Sequence, residues 1–241
     1  MTRYYPVALI DNSRRNFLQK KATFTQVNKL TLVAPSDWLR DHVRESFFKG
    51  TDCLTINNGI DLETFQPRKA KSPIPTAIGV ASTWSESKGL GDFVELRKLL
   101  PESYRIVLIG LTPRQIRQLP RGITAFSKTD SARDLAEWYS QASVFVNPTY
   151  GDTFPTVNLE ALACGTPVIT YKTGGSPEAI SPETGESVPT GDVKQLASTI
   201  TRWVESNSPQ RFQACKDRAE QRYSDRARFE EYVQLYHRLL Q

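Results

Sequence analysis

Between residues 76 and 171 short apolar runs alternate with longer, periodically apolar stretches, and this alternation limits the fold more than any other feature of the chain. The runs Ala77-Ile-Gly-Val-Ala81, Arg105-Ile-Val-Leu-Ile109, Ile123-Thr-Ala-Phe126, Val144-Phe-Val146 and Pro167-Val-Ile-Thr170 are too short for helices and are rich in β-branched residues. They read as strands. Helical stretches are expected near 89–100, 113–119, 131–142 and 156–164, between those strands. Such a series predicts an α/β domain with a doubly wound parallel sheet, covered on both faces and joined by right-handed crossovers.

The flanking segments extend this reading. Residues 11–27 carry Phe17, Leu18, Phe24 and Val27 in a polar background, the pattern of an amphipathic helix. Leu30–Ala34 and Cys53–Ile56 read as strands around a helix that Ser36 caps and Gly50 ends. Residues 66–75 hold three prolines without periodicity, as a linker would. From Asp192 onward the pattern is helical to the end. The expected organisation is thus 1–65, a partial unit; 66–75, a linker; 76–225, the main domain; and 226–241, a helix returning toward the first unit.

With 39% hydrophobic and 24% charged residues, the 241-residue chain is neither disordered nor fibrous. Three dispersed cysteines, Cys53, Cys164 and Cys215, build neither a disulfide framework nor a C-x-x-C metal or redox site, and should be buried thiols. No run approaches the roughly 20 apolar residues of a membrane span, and the start, Met1 to Pro6, lacks a signal-peptide core. A cytoplasmic location is expected, with peripheral attachment to the inner membrane face as a further expectation. Residues 1–50 carry nine basic and four acidic side chains, while the rest of the chain is balanced. An anionic partner or simply a pair of solvated helices explains that excess. No RNA-binding motif accompanies it, so no nucleic-acid partner is expected.

In an open α/β sheet, ligands bind beyond the carboxyl ends of the strands. The loop after the first strand of the main domain ends in Lys88-Gly89, where a helix is expected to begin, a place suited to a phosphate. The segment 147–167 places Asp152 at a strand mouth and Glu160 early in the next helix, with Pro155 suiting that helix's first turn. Two carboxylates there can accept hydrogen bonds from sugar or ribose hydroxyls. Equally, Asp152 can cap the helix and Glu160 be an ordinary helix residue. Gly174-Gly175 opens the following loop, either for close backbone approach to a ligand or as a plain turn. G-x-G-x-x-G, G-x-x-x-x-G-K, H-E-x-x-H and G-x-S-x-G are all absent, and His42 and His237 sit in helical patterns without a nucleophile partner. No D-x-D stands at a strand end, so no metal site is expected.

Together these residues resemble the retaining GT-B glycosyltransferases of the family 4 type, bacterial enzymes that build polysaccharides. The matching signature is Asp152, seven residues, then Glu160-Ala161, followed by Ala163-Cys-Gly165-Thr-Pro167-Val168 and Gly174-Gly175-Ser-Pro-Glu178. The interdomain motif appears as Asn58-Gly-Ile-Asp61 with Phe65 and Pro67. The resemblance implies catalytic roles for Lys88, on the diphosphate of a nucleotide-sugar, and for Asp152, on the donor sugar. It implies that Glu160 receives the ribose, that the backbone of Phe154, Pro155, Thr156 and Val157 steadies sugar and phosphates, and that Ser127 and Lys128 lie near the base. It implies no cofactor and no metal, with transfer to a polysaccharide or lipid-linked glycan.

Three departures from the family pattern stand out. The family usually has Glu at the position of Asp152, and Arg where Thr83 stands five residues before Lys88. Residues 1–65 match only the last strand-helix-strand part of the family's acceptor-side domain. The missing remainder would be a separate chain, or the exposed Leu and Phe faces of residues 17–48 would drive self-association. A noncatalytic nucleotide-sugar binding module is the second reading of the same residues.

Overall fold

The computed structural model describes residues 11–241, so the expectation for Met1 to Pro6 lies outside the described residues. Six parallel strands form the main sheet: β3 (Thr76–Val80), β4 (Arg105–Ile109), β5 (Ile123–Phe126), β6 (Val144–Asn147), β7 (Val168–Tyr171) and β8 (Gly185–Val188). Their order is β5-β4-β3-β6-β7-β8. The chain runs outward on one side of β3 and then returns to run outward on the other, so the order reverses between β3 and β6, as in a doubly wound sheet.

Successive side chains along the strands feed two cores. Ile78, Val107, Ile109, Phe145 and Val168 join Tyr139 of α5 (Ala132–Gln141), Leu159 and Leu162 of α6 (Thr156–Ala163) and Cys215 of α8 (Pro209–Tyr223). Ala77, Ile106, Leu108, Val146 and Ile169 instead join Phe93 of α3 (Leu90–Leu99) and Ile200 and Trp203 of α7 (Val193–Glu205). This alternation is why both sheet faces are buried and the strands read as continuous apolar runs. A sixth helix in this body, α4 (Pro113–Gln118), starts from a capping box between Thr112 and Gln115. All three cysteines are buried and free.

A smaller unit precedes this body: α1 (Ser13–Phe24), then β1 (Thr31–Ala34) and β2 (Asp52–Thr55), a parallel pair joined through α2 (Asp37–Glu45). Ser36 caps α2 by accepting from Leu39 N–H, as its sequence position implies. α1 is shorter than the amphipathic pattern suggests and buries none of its residues. Phe17 is 51% and Leu18 54% exposed. The pattern finds too few partners here: Phe17 meets Phe47 edge-on, and Phe24 meets Phe48 at a tilt with ring centroids 6.0 Å apart. The final helix, α9 (Asp225–Leu239), begins against this unit: Ile60 N–H donates to Tyr223 O and Asp225 N–H to Ile60 O.

A carboxylate joins the two units more directly. Glu178 accepts from the backbone N–H groups of Asp37 and Trp38 at 2.9 and 2.8 Å, serving the first turn of α2 from across the junction. Glu178→Ala is expected to cost about 1 kcal/mol and to speed hydrogen exchange at Asp37 and Trp38. Unchanged exchange there would show that this link contributes nothing to the junction.

Candidate functional site

The reversal between β3 and β6 opens a crevice beyond their carboxyl ends. A cavity of 240 Å³ lies there, lined by Ala81 and Ser82 after β3, Asn147 of β6, Lys88, Asp152, and residues 154–157. A second cavity, of 420 Å³, shares Val80, Ala81, Ser82, Thr156 and Val157 with the first and runs on to Ser127, Lys128 and Glu160. The two form one trough. Lys88 and Asp152 stand at one end and Glu160 and Lys128 at the other, with the opening turn of α6 along the shared wall. The first N–H groups of a helix have no intrahelical acceptor, and Thr156 and Val157, which open α6, line both cavities.

Lys88 ends a 3₁₀ turn, Glu86–Lys88, just before α3. The next residue, Gly89, takes φ +75°, and a Cβ there would lie 2.3 Å from Pro148 O, so only glycine brings this turn against the 148–152 loop. Lys88 Nζ consequently reaches Asp152 Oδ2 at 2.7 Å, across 64 positions of sequence. Asp152 does not cap α6: Pro155 occupies the N-cap position without a side-chain bond, while Asp152 Oδ2 meets Lys88 and Oδ1 accepts from Phe154 N–H at 3.3 Å, ahead of the helix. The pair is partly open to solvent, so it adds little to stability, yet it holds a cation and an anion at the trough's end.

Several residues without a sequence motif hold this loop in place. Asp92, in the first turn of α3, accepts from Tyr150 and Tyr171 hydroxyls at 3.2 and 2.8 Å. Burial pushes its carboxyl pKa above the ordinary value. Tyr150 N–H donates to Ser87 O, tying the Asp152 loop to the Lys88 turn. Behind α6, Asn147 donates to Asn158 Oδ1 at 2.8 Å, and Asn158 donates in turn to Ser176, a buried chain that sets the helix against the sheet. No local pattern marks these residues, because each acts across strands that are far apart in sequence.

Glu160 lies on the fifth residue of α6 and lines the trough, its carboxylate accepting from the Tyr139 hydroxyl at 2.9 Å. Burial raises its pKa, and the Tyr139 hydrogen bond opposes that rise. Phe154 and Pro155 are buried in the first cavity's wall, whereas Ser127 and Lys128 are exposed at the second cavity's rim. Thr83 is exposed and lines neither cavity. The neighbouring Trp84 lines the first cavity, with its indole N–H donating to Ile109 O at 2.9 Å. Gly174 and Gly175 also lie outside both linings, and Gly175 N–H donates to Asp152 O at 3.1 Å. Among the described residues no group of three or more His, Cys, Asp or Glu is placed to hold a metal ion. No helix among them is long and apolar enough to cross a membrane.

Comparison with known proteins places this geometry in a family. Residues 75–206 match the model of the glycosyl transferases group 1. A D-inositol 3-phosphate glycosyltransferase of Saccharomonospora viridis is 38% identical over 201 residues, covering 71% of this chain and 46% of that protein. Sulfoquinovosyl transferase SQD2 of Arabidopsis thaliana is 29% identical, covering 71% of this chain and 37% of that protein. The chain thus spans less than half the length of these curated relatives. Among solved structures, sucrose-phosphate synthase from Thermosynechococcus elongatus superposes with a TM-score of 0.80 at 24% identity, covering 97% of this chain and 64% of its own. Anabaena HepE in complex with UDP-glucose gives 0.75 at 17% identity, covering 93% and 68%. The chain belongs to the glycosyl transferases group 1 family and has the GT-B-type α/β fold.

Proposed function

We propose that the trough binds a nucleoside-diphosphate sugar, as the donor of a metal-independent, retaining glycosyltransferase of the family 4 type. The observation that carries this reading is the disposition of charge: Lys88 at one end and Glu160 at the other of one crevice, with a helix N-terminus between them. A diphosphate fits the Lys88 ammonium and the opening N–H groups of α6, and a ribose fits the Glu160 carboxylate. Asp152, already beside Lys88, is placed to accept from donor-sugar hydroxyls. In transfer, Lys88 and the α6 N-terminus would stabilise the negative charge that develops on the departing diphosphate. The acceptor would be a polysaccharide or lipid-linked glycan.

Thr83 and the single cation lining the first cavity support a second reading, a nucleotide-sugar binding module without transfer activity. Thermal unfolding with UDP, GDP, ADP and their common sugar conjugates tests donor binding. A ligand at 100 times its Kd stabilises a fold by about 2.7 kcal/mol, which raises Tm by roughly 5–10 °C in a chain of this size. One nucleotide is expected to give that rise, and Glu160→Ala to abolish it. A cooperative transition that no nucleotide moves would remove both readings, and sugar transfer to an added glycan acceptor would remove the second.

A further inference from the structure

Tyr139 lies behind the trough rather than in its wall, yet it touches the one carboxylate at the far end. Its ring is fully buried in α5, edge-on to Phe145 at 5.5 Å and to Phe65 at 6.4 Å. Its backbone carbonyl accepts from Thr166 Oγ1 at 2.6 Å, and that hydroxyl accepts from Lys71 Nζ at 2.7 Å. Packed between these rings, it sends its hydroxyl to Glu160 Oε2 at 2.9 Å. Among the described residues no other group bonds this carboxylate, so Oε1 is left for a ligand. Phe65 belongs to the segment running from Asn58 to Pro67, so that segment buttresses the same ring.

Building on the donor reading of the trough, we propose that Tyr139 is a positioning residue for ribonucleotide recognition. Its hydroxyl fixes the ionised Glu160 carboxylate with Oε1 presented to the 2′- and 3′-hydroxyls of the ribose. Burial raises the pKa of Glu160, and the phenol donor opposes that rise by bonding the ionised form. Burial also holds Tyr139 itself protonated, with its pKa well above the ordinary value, so it remains a donor throughout the working range. Of the other titratable groups, Cys164, which caps the end of α6, lies close enough to act on Glu160, and Lys128 lines the same cavity. The Cys164 thiol, pushed up to about 12 by burial, stays neutral. Ribose recognition should therefore be lost as pH falls through the Glu160 pKa, and removing the phenol hydroxyl should move that loss to higher pH.

Calorimetric titration of wild type and Tyr139→Phe with UDP, GDP and ADP, and with their 2′,3′-dideoxy counterparts, between pH 5 and 9, tests the assignment. Wild type should prefer one ribonucleotide over its dideoxy form by about tenfold or more at the alkaline end. In Tyr139→Phe the midpoint for losing that preference should lie about one pH unit higher, the size expected of a hydrogen bond to a charged group. Site-specific 3-fluorotyrosine at position 139 keeps the ring and strengthens the donor, so it should move the midpoint downward even if Tyr139→Phe fails to fold. A substitution that weakens ribo and dideoxy forms alike, with the midpoint unmoved, would overturn the assignment and leave the donor reading standing. Wild type that binds no nucleotide would overturn both.

Discussion

Lys88→Ala is expected to weaken nucleoside-diphosphate binding by about 10- to 100-fold while leaving the melting temperature of the unliganded protein nearly unchanged. The two halves of that result come from different surroundings of the same ammonium. In the unliganded chain it pairs with Asp152 at 2.7 Å, but both side chains are partly solvated, and such pairs contribute about 0–1 kcal/mol. Against a diphosphate the partner is a multiply charged anion at the opening of α6, where a charge-assisted bond is worth about 1.5–3 kcal/mol. Titration calorimetry with the nucleotide that stabilises wild type gives the affinity, and scanning calorimetry gives Tm. A large fall in Tm with unchanged affinity would make Lys88 a structural cation, and the diphosphate would have to lie elsewhere.

Gly174→Ala should be the more damaging change for the fold. Gly174 takes φ +54°, in the left-handed region, and a Cβ there would come within 1.9 Å of Asp152 O, a backbone atom with no rotamer to escape into. A left-handed non-glycine residue costs about 1–3 kcal/mol even without a clash, and the overlap adds to it, so Tm should fall by roughly 5–10 °C. The strain falls on the loop that carries Asp152, so whatever affinity depends on Asp152 should fall with it. Gly151→Ala is the matched control, because a Cβ there meets nothing within 4 Å and φ is not positive. Equal stability of the two variants would show that the 152–174 contact is not a constraint on the native state.

Much of this fold is legible in the sequence because a sheet buried on both faces leaves continuous apolar runs, and five of the six main strands announce themselves that way. β8 does not. It lies at the sheet's edge, its sequence is Gly185-Glu-Ser-Val188, and only Gly185 and Val188 are buried. Glu186 is there because Arg202 and Trp203 of α7 donate to it, a contact that no local pattern contains. α1 fails in the opposite direction: its sequence has apolar residues enough for an amphipathic helix, but the described unit offers only two rings to meet them.

The candidate site divides along the same line. Lys88 and Asp152 stand in loops that follow strands and Glu160 in the helix after one of them, where the α/β topology itself directs attention, and the trough brings all three together. Spacing leaves Asp152 as either a cap or a ligand residue. Pro155 at the N-cap position removes the cap, and the 2.7 Å contact with Lys88 depends on how the loops after β3 and β6 meet. Tyr139, Asp92 and Asn158 act across elements, so their contribution appears only once the sheet order is known.

The most direct test is a crystal structure of the protein with the nucleoside diphosphate that stabilises it most. The diphosphate should lie within hydrogen-bond distance of Lys88 Nζ and the first N–H groups of α6, with a ribose hydroxyl on Glu160 Oε1. A nucleotide bound away from the crevice between β3 and β6, or in it with its ribose turned from Glu160, would contradict the assignment of the trough as a donor site.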